Sequence, residues 1–174
     1  MIKYGIVLMR AQPLHKGHQH IIDKIIADGL EPIVLLGSAN KSDKKNPYHP
    51  LQRIEMVKLV YPDIRVWTID DYTNWDEWFR HLLSTLKLCV TKNLAEVTIY
   101  LHEKLEDLQN FTFRGLDYTE ESYCKLYEVA GINTTKLPIS DIQIRAKSIR
   151  EELEKNKHYL HIEVYKYIKG LNNE

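Results

Sequence analysis

Cysteine is scarce in this chain. Cys89 and Cys124 are the only two in 174 residues. They are too few and too far apart for a disulfide framework or a zinc ribbon. Neither has a neighbouring base that would activate it, so both read as structural. A reducing cytoplasm is the simplest setting. An excess of charge is also missing: Lys plus Arg number 24 and Asp plus Glu number 24. That balance excludes a diffuse basic surface for nucleic acid and an acidic disordered tail. Long hydrophobic runs are absent as well. The apolar stretch Ile6 to Met9 is cut off by Arg10, too soon for a signal peptide or a membrane span. No repeat, low-complexity tract or linker interrupts the chain. The expectation is one cytoplasmic domain, residues 1–174, that binds neither nucleic acid nor membrane. Hydrophobic residues make up 44%, which at this length can form a real core. None of this names a chemistry.

Patterning is more informative. Ile2 to Met9, Pro32 to Leu36, Ile64 to Ile69, Ala95 to Leu101 and Thr134 to Ile139 read as strands. Between them lie helical spacings: Ile21, Ile22, Ile25 and Ile26, then Leu51 to Tyr61, then Trp75 to Leu88. Ile142, Ala146, Ile149 and Leu153 mark one more helix face, and His158 to Lys169 a last helix. Strands alternating with helices imply parallel β-α-β units. The expected fold is α/β, a parallel sheet of about five strands with helices on both faces and a helical C-terminus.

The loop from Arg10 to His18 joins the first strand to the first helix. In open α/β sheets, ligands bind at the carboxyl ends of strands, near the topological switch. A helix N-terminus there offers free N–H groups and the positive end of the dipole. Gly17 permits close backbone approach, and Pro13 stiffens the path. His15 and His18 could present imidazole N–H groups to phosphate, and Arg10 adds a fixed charge. Two blander readings stand beside this one. His18 could be an ordinary helix-start residue. His15, His18 and His20 could form a metal cluster, but no carboxylate lies beside them in the loop.

The segment Arg10-Ala-Gln-Pro-Leu-His-Lys-Gly-His18 resembles the His-x-Gly-His signature of the nucleotidylyltransferase superfamily. It is similar in particular to the form found in archaeal-type nicotinamide mononucleotide adenylyltransferases. Arg10, Gln12, Pro13, His15, Gly17 and His18 match that form, while Met9, Ala11 and Leu14 depart from it. Three further segments follow in the family's order. Gly37-Ser38-Ala39 with Asn46-Pro47-Tyr48 and Arg53 is similar to one. Asp71 with the downstream Trp78 is similar to another. Ile139-Ser-Asp-Ile-Gln-Ile-Arg145 resembles the second signature, with Ile142 where the family has Thr.

The resemblance implies a Rossmann-like nucleotidylyltransferase fold. It also implies a reaction, in which ATP and nicotinamide mononucleotide give NAD and pyrophosphate. It casts His15, His18, Arg145 and Arg10 as catalytic, and Gln12, Pro13, Gly17, Ser140 and Ile142 as ATP-binding. Gly37, Ser38, Lys45, Asn46, Tyr48, Arg53, Asp71 and Trp78 would bind the second substrate. Trp78 would stack on the nicotinamide ring, with Trp75 as the substitute, yet both equally suit helix core. Mg²⁺ would be carried mainly by ATP, with no protein metal site. A homo-oligomer is implied. The alternatives are a related transferase acting on nicotinate mononucleotide, phosphopantetheine or an alcohol phosphate, and a non-catalytic nucleotide sensor.

Overall fold

A computed structural model describes residues 2–102, 111–113, 116–118, 123–138 and 144–173. In chain order it gives β1 (Tyr4–Met9), α1 (Lys16–Ala27), β2 (Glu31–Leu36), α2 (Pro50–Val60), β3 (Arg65–Thr68) and α3 (Trp75–Cys89). There follow β4 (Val97–His102), β5 (Phe111–Phe113), β6 (Leu116–Tyr118), α4 (Tyr123–Val129) and β7 (Asn133–Leu137). The chain closes with α5 (Ala146–Glu151), α6 (Leu153–Asn156) and α7 (Ile162–Asn172).

Five strands form one sheet in the order β3-β2-β1-β4-β7, and every adjacent pair is parallel. β5 and β6 form a separate antiparallel ribbon. The expected sheet of about five strands is therefore the observed one. The chain winds outward from β1 to β3, then crosses back to place β4 on the other side of β1. The winding reverses between β1 and β4. That is the switch point, where a crevice opens at the strands' carboxyl ends.

Alternate residues of each strand feed opposite faces. Val7, Met9, Val34, Leu36 and Tyr100 pack against Ile22 and Ile25 of α1, Met56 and Val57 of α2, and Val164 and Ile168 of α7. Ile6, Ile33, Leu35, Val97 and Ile99 pack against Phe79, Leu82 and Leu86 of α3 and Leu126 of α4. Each fully buried Ile or Leu adds roughly 1.5–3 kcal/mol. β1 and α1 approach so closely that a Cβ on Gly5 would lie 2.3 Å from Ile25 Cγ2. Two expected elements differ. The C-terminal helix begins at Ile162 rather than His158, because Lys157–Tyr159 is a 3₁₀ turn. The helical stripe through Ile149 and Leu153 is broken at Glu152 (φ −137°), so it becomes α5 and α6.

The loops after β1 and β2 are held together from beneath by α2. Arg53 is fully buried. Its Nη1 donates to the carbonyl oxygens of Arg10 (2.7 Å) and Gly37 (2.8 Å), and its Nη2 to that of Ser38 (3.4 Å). Those loops contain the two non-glycine residues with left-handed backbone among the described residues, Ala11 (φ 51°) and Ser38 (φ 52°). Such conformations persist where the surroundings enforce them. Gln12 adds a second tie, donating to the Tyr48 carbonyl at 3.1 Å and accepting from the Tyr48 N–H at 2.9 Å. Arg150 of α5 donates to the Gln12 carbonyl at 2.7 Å. Replacing Arg53 by Met keeps the stem but strands these carbonyls, and an unpaired buried polar group costs about 1–3 kcal/mol. Arg53→Met should therefore lose about 3 kcal/mol or more, read as a fall in the urea midpoint; an unchanged midpoint would refute the tie.

Candidate active site

α1 begins at the switch point with a cap made entirely of histidine. His15 is the N-cap, with extended backbone (φ −136°, ψ 173°). Its Nδ1 accepts the N–H of Gly17 at 3.1 Å, and the Nδ1 of His18 accepts the N–H of His15 at 3.1 Å. This is the reciprocal capping box, with imidazoles in place of the usual hydroxyl and carboxamide. The rings stack, with centroids 3.7 Å apart and planes 20° from parallel. Backbone N–H groups can only donate, so both Nδ1 atoms must be bare. A neutral imidazole then carries its proton on Nε2. The cap fixes the tautomer and leaves two N–H donors for a ligand.

Burial, and then the neighbouring His102, push the His15 imidazole down to about 4. Burial also holds His18 well below its ordinary value, with His15 and His102 adding to the effect. Both rings are therefore neutral donors at neutral pH. Gly17 is required sterically: a Cβ there would lie 2.9 Å from His15 Cε1 and 3.0 Å from its Nδ1. The expected role of Gly17 was close approach to a ligand. What lies closest to it is the His15 ring.

The other expected site residues divide into groups. Gln12, Pro13, Ser38 and Asn46 are buried in the linked loops, whereas Arg10 and Lys45 are exposed. Tyr48, half-buried, meets Gln12 through its backbone. Asn46 donates from Nδ2 to Asp43 Oδ1 at 3.0 Å. Gly37 lies at the end of β2, its N–H donating to the Met9 carbonyl at 2.9 Å. Arg53 was expected to meet a substrate phosphate. The structure corrects this: its buried guanidinium donates to the loop carbonyls, and burial, then Arg10, lower its pKa against the opposing pull of Asp71. Arg145 was expected just over one turn inside a helix starting at Ser140. It is instead the N-cap of α5, exposed and extended (φ −114°, ψ 121°). Ser140 and Ile142 lie outside the described residues.

A cleft beyond β3 is lined by Asn40, Lys41, Asp70, Asp71, Tyr72, Thr73 and Glu77, three carboxylates against one cation. Asn40 builds its wall, donating to the Asp71 carbonyl at 3.0 Å and accepting the Asp71 N–H at 2.8 Å. Trp78 and Trp75 are half-buried, meet edge to face at 5.6 Å, and pack against the α3 core. Trp78 is thus partly core, as one of its two sequence readings expects, with the rest of its side chain accessible. Among the described residues, no group of three His, Cys, Asp or Glu could hold a metal ion. No described helix is long and apolar enough to cross a membrane.

Sequence reasoning missed four residues here: Arg53 as a tie, Arg150, Asn40 and His102. The first three act on backbone groups, which leave no mark in sequence. His102 had a visible signal, a histidine at the end of a central strand.

A two-layered wrap around a parallel sheet, with a histidine-capped helix at the switch point, defines a nucleotidylyltransferase fold. The cytidylyltransferase-like family model matches residues 10–159, and the chain belongs to that family. Among curated relatives, it is 35% identical over 80 residues to the nicotinamide-nucleotide adenylyltransferase of Methanolobus tindarius, covering 43% of this chain and 46% of the relative. It is 32% identical over 85 residues to that of Halorubrum lacusprofundi, covering 46% and 48%. The chain thus spans less than half the length of these relatives. Among solved structures, the bifunctional NMN adenylyltransferase/ADP-ribose pyrophosphatase of Francisella tularensis superposes with a TM-score of 0.69 at 20% identity. That match covers 92% of this chain and 45% of the other.

The histidine cap has a pH signature. In the unfolded chain a histidine takes up its proton near 6.5, whereas in the fold His15 does so only near 4. Between those values the unfolded state binds more protons, so stability falls as pH falls through that window and is intact above it. His15 alone should contribute a loss of roughly 3 kcal/mol from pH 6.5 to 4. Nitrogen NMR at pH 6 should find both rings neutral with the proton on Nε2. A ring already charged at that pH would refute the cap.

Proposed function

We propose that this chain is an adenylyltransferase joining ATP and nicotinamide mononucleotide to give NAD and pyrophosphate. The observation that carries the reading is the pair of Nε2–H donors held by the histidine cap at the β1–β4 switch point. The 5′-phosphate of the mononucleotide is already an anion and attacks the α-phosphorus of ATP in line, expelling pyrophosphate. No general base is needed, and these imidazoles are poorly suited to be one, because their Nδ1 atoms are occupied. Catalysis becomes positioning and stabilisation of charge. His15 and His18 donate to phosphate oxygens as charge builds on them. Arg10, exposed beside them, helps neutralise the reacting phosphates, with Lys45 further along the same rim. Arg145 takes the outer phosphates, with Ser140 and Ile142 completing the ATP contacts. Gly17, Gln12 and Pro13 shape the loop that holds the donors. ATP arrives as its magnesium complex, in which phosphate oxygens and water supply most ligands.

The cleft beyond β3 supports nicotinamide over nicotinate. Its ring is a pyridinium cation, and Asp70, Asp71 and Glu77 offer negative charge beside it. The carboxylate of nicotinate mononucleotide would be repelled there. Trp78 gives an aromatic face for the ring. Gly37, Ser38, Asn46 and Tyr48, in and after the β2 loop, would complete the contacts to the mononucleotide. A cytoplasmic, homo-oligomeric enzyme that binds no nucleic acid completes the reading.

The test is pyrophosphate release by the purified chain, with ATP or CTP against nicotinamide mononucleotide, nicotinate mononucleotide, phosphopantetheine and an alcohol phosphate. ATP with nicotinamide mononucleotide should be the best pair. ATP binding without pyrophosphate release from any pair would make the chain a sensor. His18→Ala should lower turnover about 10²–10³-fold with the fold intact, and wild-type turnover would remove that assignment. Trp78→Ala should raise the KM for the mononucleotide more than that for ATP; an unchanged KM would leave Trp78 to the core alone.

A further inference from the structure

The crevice at the switch point has two walls, and histidines stand on both. His15 and His18 come from α1, after β1. His102 is the last residue of β4, the next strand in the sheet. It lies near enough to both rings for its charge to oppose their protonation. On its other side its ring runs nearly parallel to that of His20, with centroids 6.1 Å apart and planes 18° apart.

The Nε2 of His102 is buried and has no hydrogen-bond partner. Buried polar atoms almost always have one, and an exception needs an explanation. The rings of His15 and His18 offer no acceptor, since their Nδ1 atoms are already filled by backbone N–H groups. With its proton on Nε2, His102 would need what the Nε2–H groups of His15 and His18 can also use, an acceptor between the two sides. Phosphate oxygens are acceptors and nothing else. One polyphosphate between the walls would satisfy the outward N–H groups of His15 and His18 and that of His102 together.

We propose that His102 is a third phosphate-binding residue, donating its Nε2–H from the β4 wall to the polyphosphate that His15 and His18 bind from the α1 side. This rests on the ATP reading above and adds a residue to that site. It also explains why a histidine ends a strand whose other buried residues are apolar or aromatic: the strand's last position opens on the crevice rather than on a core.

The test uses the whole chain with histidine side chains labelled with nitrogen-15, titrated with magnesium-ATP. The imidazole signals of His15, His18 and His102 should all move and saturate at one concentration. His102→Phe keeps a ring against His20 but removes the donor, and should raise the Kd for ATP about tenfold and the KM for ATP more than that for the mononucleotide. His102→Gln keeps an N–H donor and should recover part of the loss, which a packing role would not allow. The proposal is overturned if His102 stays silent while His15 and His18 respond, or if His102→Phe binds ATP like the wild type. Should that variant fail to fold, the titration of the unmodified chain decides. If none of the three rings responds, the ATP reading fails and this proposal falls with it.

Discussion

The guanidinium of Arg53 is the contact on which the rest of the site depends. A parallel sheet ends in loops whose carbonyls have lost their ladder partners. In this chain two such loops, after β1 and β2, also carry left-handed residues at Ala11 and Ser38. Left alone, those carbonyls would be buried and unpaired. One side chain rising from α2 supplies donors to three of them. Its planar fork can address several acceptors at once, which a lysine could not do. Gln12 and Arg150 extend the network to Tyr48 and α5. The α1 cap is therefore placed by contacts that never touch a ligand.

On the proposed reading, the cap answers a second problem, how to present donors to a polyanion without paying for buried positive charge. Two arginines stacked at 3.7 Å would repel each other whenever the site is empty. Two imidazoles at that separation need carry no charge. Burial keeps them neutral, and the backbone N–H groups at the helix start orient them. Preorganised neutral donors in a poorly solvated site need little rearrangement as charge develops. The fixed charge of Arg10 is exposed, outside the buried cap.

The five strands of the main sheet and their parallel pairing were legible because each rests on periodicity, whereas the β5–β6 ribbon was not. Nor was the cap. Helix starts are read from Ser, Thr, Asp and Asn, yet α1, α2 and α7 are capped by His15, His49 and His161 through Nδ1. A histidine before a helix therefore suggested a ligand role or an ordinary helix-start position, when at His15 the cap is what fixes the proton on Nε2. Arg53 misled for a related reason. On a helix wheel it is a polar residue beside apolar Ile54 and Val57, which suggests solvent or substrate. Only the tertiary position of the loop carbonyls makes it core. Arg145 was misplaced because the stripe from Ile142 to Leu153 fits a helix by spacing, and spacing does not reveal where the backbone first turns helical.

The zero net charge takes on a different meaning once the charges are located. The histidine donors and the exposed Arg10 follow the end of β1, and the carboxylates of Asp70, Asp71 and Glu77 gather, with Lys41, beyond β3. The substrate we propose is divided in the same way, with an anionic phosphate at one end and a cationic ring at the other. A site made basic throughout would hold ATP more firmly but would oppose the ring. A site made acidic throughout would lose the phosphates. Discrimination needs an unfavourable pairing for the wrong ligand as well as a favourable one for the right, and on the proposed reading the carboxylates would supply it against nicotinate. A neutral chain with its charges sorted by place meets both demands, where a surplus of either sign would sacrifice one.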